Sequence, residues 1–352
     1  MEIVKEKLLH TGSTLLNLAL SGTIDGGYIK GRYFYIVGDS STGKTFLTLT
    51  ALAEASINAN FDDYRLIYDD VEGGALMDIE QYFGEKLAAR IEPPAGTRAL
   101  PKYSTTVEEF YFYLDDAFNK NKPFIYVLDS QDALDSTFSQ RRFRELKAVR
   151  YNRSAEKVKG DYGDGKAKFH STRLREVVHR LRDSGSILLI VNQTRDVLDA
   201  NPFGEKSQTS GGRALRFYAT AQIWLYLKER IYKIVHKKKR QVGVKIKVAV
   251  KKNRITGKEW SIDLPIYFSY GIDDITSCIE FLLEELRWKQ EGKKIIATDF
   301  DSLEGSIDDI IKYVEDNHLE HELFEIVYEQ YKELEEKCKI KRKTKYDRLD
   351  TC

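Results

Sequence analysis

Two regimes of apolar patterning divide this chain of 352 residues. From residue 31 to about 228, short runs of consecutive apolar residues are separated by stretches whose apolar positions recur at helical spacing. The runs Tyr33–Val37, Leu66–Asp70, Phe124–Asp129, Ile187–Asn192 and Ala221–Leu227 read as strands, several of them buried on both faces. Phe46–Ala59, Val107–Asn119 and Ser171–Ser184 read as helices between them. Buried strands alternating with helices predict βαβ units: an α/β fold with a mostly parallel, twisted sheet covered on both faces.

From 231 to 270 the pattern becomes residue-by-residue alternation, in Ile231–Val235, Val244–Val250 and Trp260–Ile266, with turn signals at Gly243 and Thr256-Gly257. Alternation predicts an antiparallel extension with one solvated face. Residues 275–335 predict a small α-rich C-terminal appendage. The expected organisation is a short N-terminal segment over 1–30, a core over 31–274, and a helical domain with a basic tail over 275–352.

Composition narrows the classes. A net charge of +1 implies no partner by itself, so any nucleic-acid signal must be local. Cys278, Cys338 and Cys352 are odd in number and lack Cys-x-x-Cys spacing, against a disulfide framework or a zinc site. Met1–His10 is charged and has no apolar signal core, and no apolar run approaches the ~18 residues of a membrane span. The expectation is a cytoplasmic protein with no membrane partner.

Residues 38–45 read Gly-Asp-Ser-Ser-Thr-Gly-Lys-Thr between the first strand and the first helix. That is a phosphate-binding P-loop (Walker A) in its required strand–loop–helix context. Gly38 and Gly43 let successive N–H groups turn inward; Lys44 reaches the β- and γ-phosphates; the Thr45 hydroxyl suits Mg²⁺. Gly38, Asp39, Ser40, Ser41, Thr42, Gly43, Lys44, Thr45 and Phe46 are therefore candidate ATP contacts. The strand ending in Asp129 forms a Walker B element whose carboxylate holds Mg²⁺. Glu72, just past another strand end, is placed to orient or deprotonate the water that attacks the γ-phosphate. Gln193, past a further strand end, is placed to bond the γ-phosphate or the water and report its loss. The plainer alternatives are a solvated loop acid and a polar strand end.

With these come Thr11-Gly12-Ser13, Asp70-Val71-Glu72-Gly73, Leu128-Asp129-Ser130, Asn192-Gln193, the stretch Thr209 to Ala219, Lys252-Asn253-Arg254 and Tyr270-Gly271-Ile272. This series resembles the RecA/RadA recombinase superfamily, and its flavour is similar to the bacteriophage UvsX-type branch. It covers residues 11–275, and Gly-Gly-x-Ala-Leu-x-Phe-Tyr-Ala is its most diagnostic part. The resemblance implies a RecA-like ATPase core using ATP and Mg²⁺, with Glu72 as catalytic carboxylate and Gln193 coupling nucleotide state to DNA. It implies that Lys252 and Arg254 act in trans on ATP held by a neighbouring copy, and it places Tyr270 at the nucleotide. It also implies a homo-oligomer, filament or ring, in bacterial or phage-infected cytoplasm.

The family's DNA loops follow Asp129 and Gln193, which places them near 138–170 and 194–210. Residues 141–168 hold ten Lys or Arg against four acids, led by Arg141, Arg142, Arg144, Arg150 and Arg153. Basic residues interleaved with Phe143 and Tyr151 suit a single-stranded phosphate backbone; a solvated charged helix is the plainer reading. The second loop offers Arg195, Phe203 and Lys206, and Gly211, Gly212 and Arg213 open a helix whose N–H groups can grip phosphate. The expected function is ATP-dependent binding of single-stranded and duplex DNA with homologous pairing and strand exchange. Alternatives are a non-filamenting DNA-dependent accessory ATPase, a hexameric helicase motor and a non-enzymatic DNA-binding module. The short segment before Thr11, where the family carries a helix and linking strand, favours the accessory ATPase.

Overall fold

The computed structural model describes residues 4–75, 77–151, 166–196, 207–209 and 212–342. The chain divides into two units, Met1–Asp274 and Ile275–Cys352. In the first, ten strands form one sheet. They are β1 (Tyr33–Gly38), β2 (Arg65–Asp70), β3 (Ile91–Glu92), β4 (Phe124–Asp129), β5 (Ile187–Asp196), β6 (Ser207–Thr209), β7 (Ala221–Val235), β8 (Lys238–Asn253), β9 (Trp260–Tyr267) and β10 (Gly271–Ile272). The spatial order is β10-β9-β8-β7-β1-β5-β4-β2-β3, with β6 paired to β5. From β7 to β3 neighbours run parallel; from β7 to β10 they run antiparallel.

The helices of this unit are α1 (Thr14–Ser21), α2 (Lys44–Ile57), α3 (Ile79–Arg90), α4 (Val107–Asn119), α5 (Thr137–Tyr151), α6 (Lys166–Ser184) and α7 (Arg213–Tyr218). Every residue of β1 and β4 is buried, as parallel strands between two helical layers must be. Tyr35, Val37, Tyr126, Leu128, Leu188 and Ile190 meet Phe110 and Leu114 of α4, Leu174 and Leu181 of α6 and Leu215 of α7 in one core. The alternate residues Phe34, Ile36, Val127 and Val191 are buried on the other face, where α2 runs against β1, β2, β4 and β5.

One turn falls elsewhere than expected. The β7–β8 hairpin closes at His236-Lys237, both at positive φ (51° and 62°), the backbone of a two-residue type I′ connection. Gly243 instead lies inside β8, opposite Tyr267. A Cβ there would sit 2.5 Å from the Ile266 carbonyl oxygen, so glycine marks close backbone approach beside a register irregularity, not a turn.

The second unit adds a sheet that the helical periodicity of 275–335 did not disclose. Lys289–Glu291, Lys294–Ala297 and Leu303–Gly305 pair antiparallel. Strands of three or four residues are too short, and here too charged, to register as alternation. Helices Ile307–Asp316 and Glu320–Cys338 follow, the first opened by a Ser306–Asp309 capping box. Arg287 pairs with Asp299, whose carboxylate also accepts from Trp288 Nε1 at 2.8 Å.

Candidate functional site

Strand register brings the motif residues to one edge. Gly38 of β1 pairs with Gln193 of β5 and Leu225 of β7, and Asp70 of β2 pairs with Asp129 of β4. The C-terminal ends of parallel strands in an open α/β sheet border the ligand crevice. Between Gly38 and α2 the chain turns tightly, with Ser41 at φ 60° and Gly43 at φ 80°. Thr42 Oγ1 and Lys44 Nζ both donate to the Asp39 carbonyl, at 2.8 and 2.7 Å, and the Asp39 carboxylate accepts from the Ser40 N–H at 2.8 Å. Helix α2 begins at Lys44 with no side-chain cap, so its first N–H groups and positive end face this loop.

Asp129, buried, accepts from Thr45 Oγ1 at 2.6 Å and from the Tyr68 hydroxyl at 2.9 Å. Burial pushes its carboxyl above the ordinary range, and those two hydrogen bonds oppose the rise. Burial also lowers the Lys44 ammonium, while Asp129, Glu72 and Asp39 pull it back up. Glu72 is exposed and accepts from Ser130 Oγ and from Gln193 Nε2, the latter at 2.8 Å. Two strand ends on either side of Asp129 thus converge on one carboxylate. Phe46 packs against Phe83, ring centroids 4.9 Å apart, and a Cβ on Gly271 would lie 3.1 Å from the Phe46 ring. The adjacent Tyr270 is exposed.

Lys252 and Arg254 stand apart from this corner. Lys252 pairs across the hairpin with Gln222, which pairs with Tyr35, three residues back along β1 from Gly38. At a rise of about 3.3 Å per residue that is an offset of roughly 10 Å along the strands, and the two strand spacings from β1 to β8 add roughly 10 Å across the sheet. Lys252 Nζ donates to the Arg216 and Phe217 carbonyls at 2.9 and 2.7 Å, and Arg254 donates to Phe217 O at 3.0 Å. Both cations therefore cluster at the C-terminal end of α7.

The expected first DNA loop is helical at both described ends: α5 carries Arg141, Arg142 and Arg144, and α6 starts at Lys166. Helical hydrogen bonding here prevails over the loop-like composition. Arg141 and Arg144 are exposed, Arg142 is half-buried and Phe143 is 68% exposed. The second expected loop begins and ends as a β-ribbon, Thr194 to Asp196 against Ser207–Thr209. Gly212 caps α7 and Arg213 begins it, exposed. Arg153, Phe203, Lys206 and Gly211 lie outside the described residues, as do the Arg150 and Arg195 side chains.

Asp69 and His170 are among the buried polar groups that the sequence reading did not single out. Asp69 accepts from Ser104 N and Oγ at 2.9 and 2.6 Å and from the Tyr126 hydroxyl at 2.7 Å. Strand alternation held the signal, since Tyr68 facing Asp129 sends Asp69 to the opposite face. His170, on α6, contacts Tyr111 and Gln131.

Thr45 and Asp129 offer hard oxygen donors, which suits Mg²⁺. Among the described residues no three His, Cys, Asp or Glu side chains gather as a metal site. A metal here would take its further ligands from phosphate and water. Among the described residues no helix is long and apolar enough to cross a membrane.

The RecA N-terminal domain family model matches residues 152–273. Protein RecA of Prochlorococcus marinus strain AS9601 is 27% identical over 290 residues, 80% of this chain and 67% of the relative. Protein RecA of strain NATL1A is 25% identical over 330 residues, 92% and 76%. Protein RecA of Parasynechococcus marenigrum strain WH8102 is 27% identical over 290 residues, 80% and 65%. These are similarities to RecA proteins, found in a chain whose mixed α/β fold is built on a large central sheet.

Proposed function

We propose that this chain is an ATP-dependent recombinase that binds single-stranded DNA, engages duplex DNA, and promotes homologous pairing and strand exchange. The observation that carries the reading is the Glu72 carboxylate, bonded to Gln193 and Ser130 at the strand ends beside the Gly38–Thr45 loop. ATP sits with its phosphates on the loop N–H groups and Lys44; Thr45 and Asp129 hold Mg²⁺, which neutralises phosphate charge when bound. Glu72 orients the attacking water, and Gln193 moves with the loss of the γ-phosphate, carrying that change into the 194–210 segment. Phe46 and Tyr270 border the nucleotide base. Lys252 and Arg254, set apart from their own loop both along and across the sheet, serve the site of the next copy. Arg141, Arg142, Arg144, Arg150 and Arg153, with the 195–213 stretch, hold the DNA backbone. A UvsX-type affinity and a cytoplasmic setting belong to the same proposal.

A second reading, a RecA-like accessory ATPase that does not extend a filament, is favoured by one feature. Leu8–Leu9 pairs antiparallel with Tyr28–Ile29 of the same chain. Electron microscopy with single-stranded DNA and a slowly hydrolysed ATP analogue separates the two. Long helical filaments together with labelled-strand displacement from a homologous duplex support the first. Rings or single copies without displacement contradict it.

A further inference from the structure

His170, the fifth residue of α6, is fully buried in the same layer as Tyr111 of the apolar core, ring centroids 5.6 Å apart. Its Nδ1 lies 2.8 Å from the Tyr111 hydroxyl and its Nε2 lies 3.2 Å from Gln131 Nε2. Gln131 and Tyr111 are buried as well. An amide nitrogen only donates, so His170 Nε2 accepts from Gln131 and its Nδ1–H donates to Tyr111. A leucine would fill this layer with no polar group to satisfy, so the trio costs more than core packing requires.

Its place in the fold gives it a use. Gln131 directly follows Ser130, whose hydroxyl donates to Glu72. On the other side, Arg175 of the same α6 donates to the Tyr218 hydroxyl of α7 at 3.4 Å. The Arg216 and Phe217 carbonyls of α7 hold Lys252 and Arg254. One helix therefore touches the segment that presents Ser130 to Glu72 and the helix that holds the two cations. It also emerges from the basic 141–168 region.

We propose that His170 is a positioning residue that pins α6 to the 129–131 segment, so that DNA held by the basic region sets the Ser130–Glu72 contact and hence the rate of hydrolysis. The inference rests on the functional reading above and names how DNA regulates that site.

The test measures phosphate release at saturating ATP and Mg²⁺, with and without oligo(dT), for the full-length parent, His170→Leu, Gln131→Leu and the double variant. Oligo(dT) affinity and thermal unfolding are measured in parallel. The expected result is a DNA-free rate within about twofold of the parent, unchanged oligo(dT) affinity, and stimulation by DNA reduced about tenfold or more in each single variant. The double variant is no worse than either, because both cut one tether. If His170→Leu fails to fold, Gln131→Leu and Tyr111→Phe break the same chain from its other members. Folded variants with stimulation intact, or with both rates lowered equally, overturn the proposal and leave the functional reading standing. A parent that oligo(dT) does not stimulate overturns the functional reading and the proposal together.

Discussion

Lys44 donates to a carbonyl of its own loop, and Glu72 is held by Gln193 and Ser130. These bonds hold the two side chains at the strand ends. Lys44→Ala is expected to abolish turnover. Glu72→Gln is expected to keep ATP affinity and slow hydrolysis by about 10²–10⁴-fold, the usual worth of a positioned acid–base group. Parallel titration and phosphate-release assays check both, and a Gln variant at the parent rate removes Glu72 from the mechanism. Lys252 sets a pH limit. Burial, with Arg254 beside it, holds its ammonium down at about 8. A lowered pKa means the cation is present below that value and lost above it. DNA-stimulated hydrolysis should therefore fall as pH rises through about 8, while nucleotide affinity at the Gly38–Thr45 loop does not follow it. A flat profile to pH 9 would detach Lys252 from catalysis.

The elements show which parts of the sequence were legible. Central strands announced themselves because parallel strands between helices must be apolar throughout, and Val107–Asn119 emerged with its expected bounds because Thr106 caps it. The tight turn at 38–45 was legible because two glycines lie between an apolar strand run and a helically spaced one. The β7–β8 turn was not, because His236-Lys237 carries none of the Gly, Asn or Asp that marks a two-residue hairpin turn. Gly243 misled for the converse reason: glycine serves close backbone approach as well as turns. His170 and Asp69 were hidden because burial of a polar side chain depends on partners distant in sequence, Tyr111 and Ser104. Gly243→Ala should lower stability by about 1–3 kcal/mol through overpacking against Ile266, measured by urea unfolding. A change below 0.5 kcal/mol would mean that β8 shifts freely to admit the methyl group.

Across the first unit the candidate residues fall into two separate groups: the strand-end corner with Lys44, Asp129 and Glu72, and the α7 end with Lys252 and Arg254. On the proposed reading, a head-to-tail assembly would bring the second group of one copy to the first group of the next. The decisive measurement is phosphate release, with oligo(dT), from an equimolar mixture of Lys44→Ala and Arg254→Ala proteins, each inactive alone. Random head-to-tail neighbours restore an intact pair at about a quarter of interfaces, so the mixture should recover up to about a quarter of the parent rate. A mixture as inactive as its components at every ratio would contradict a site shared between copies.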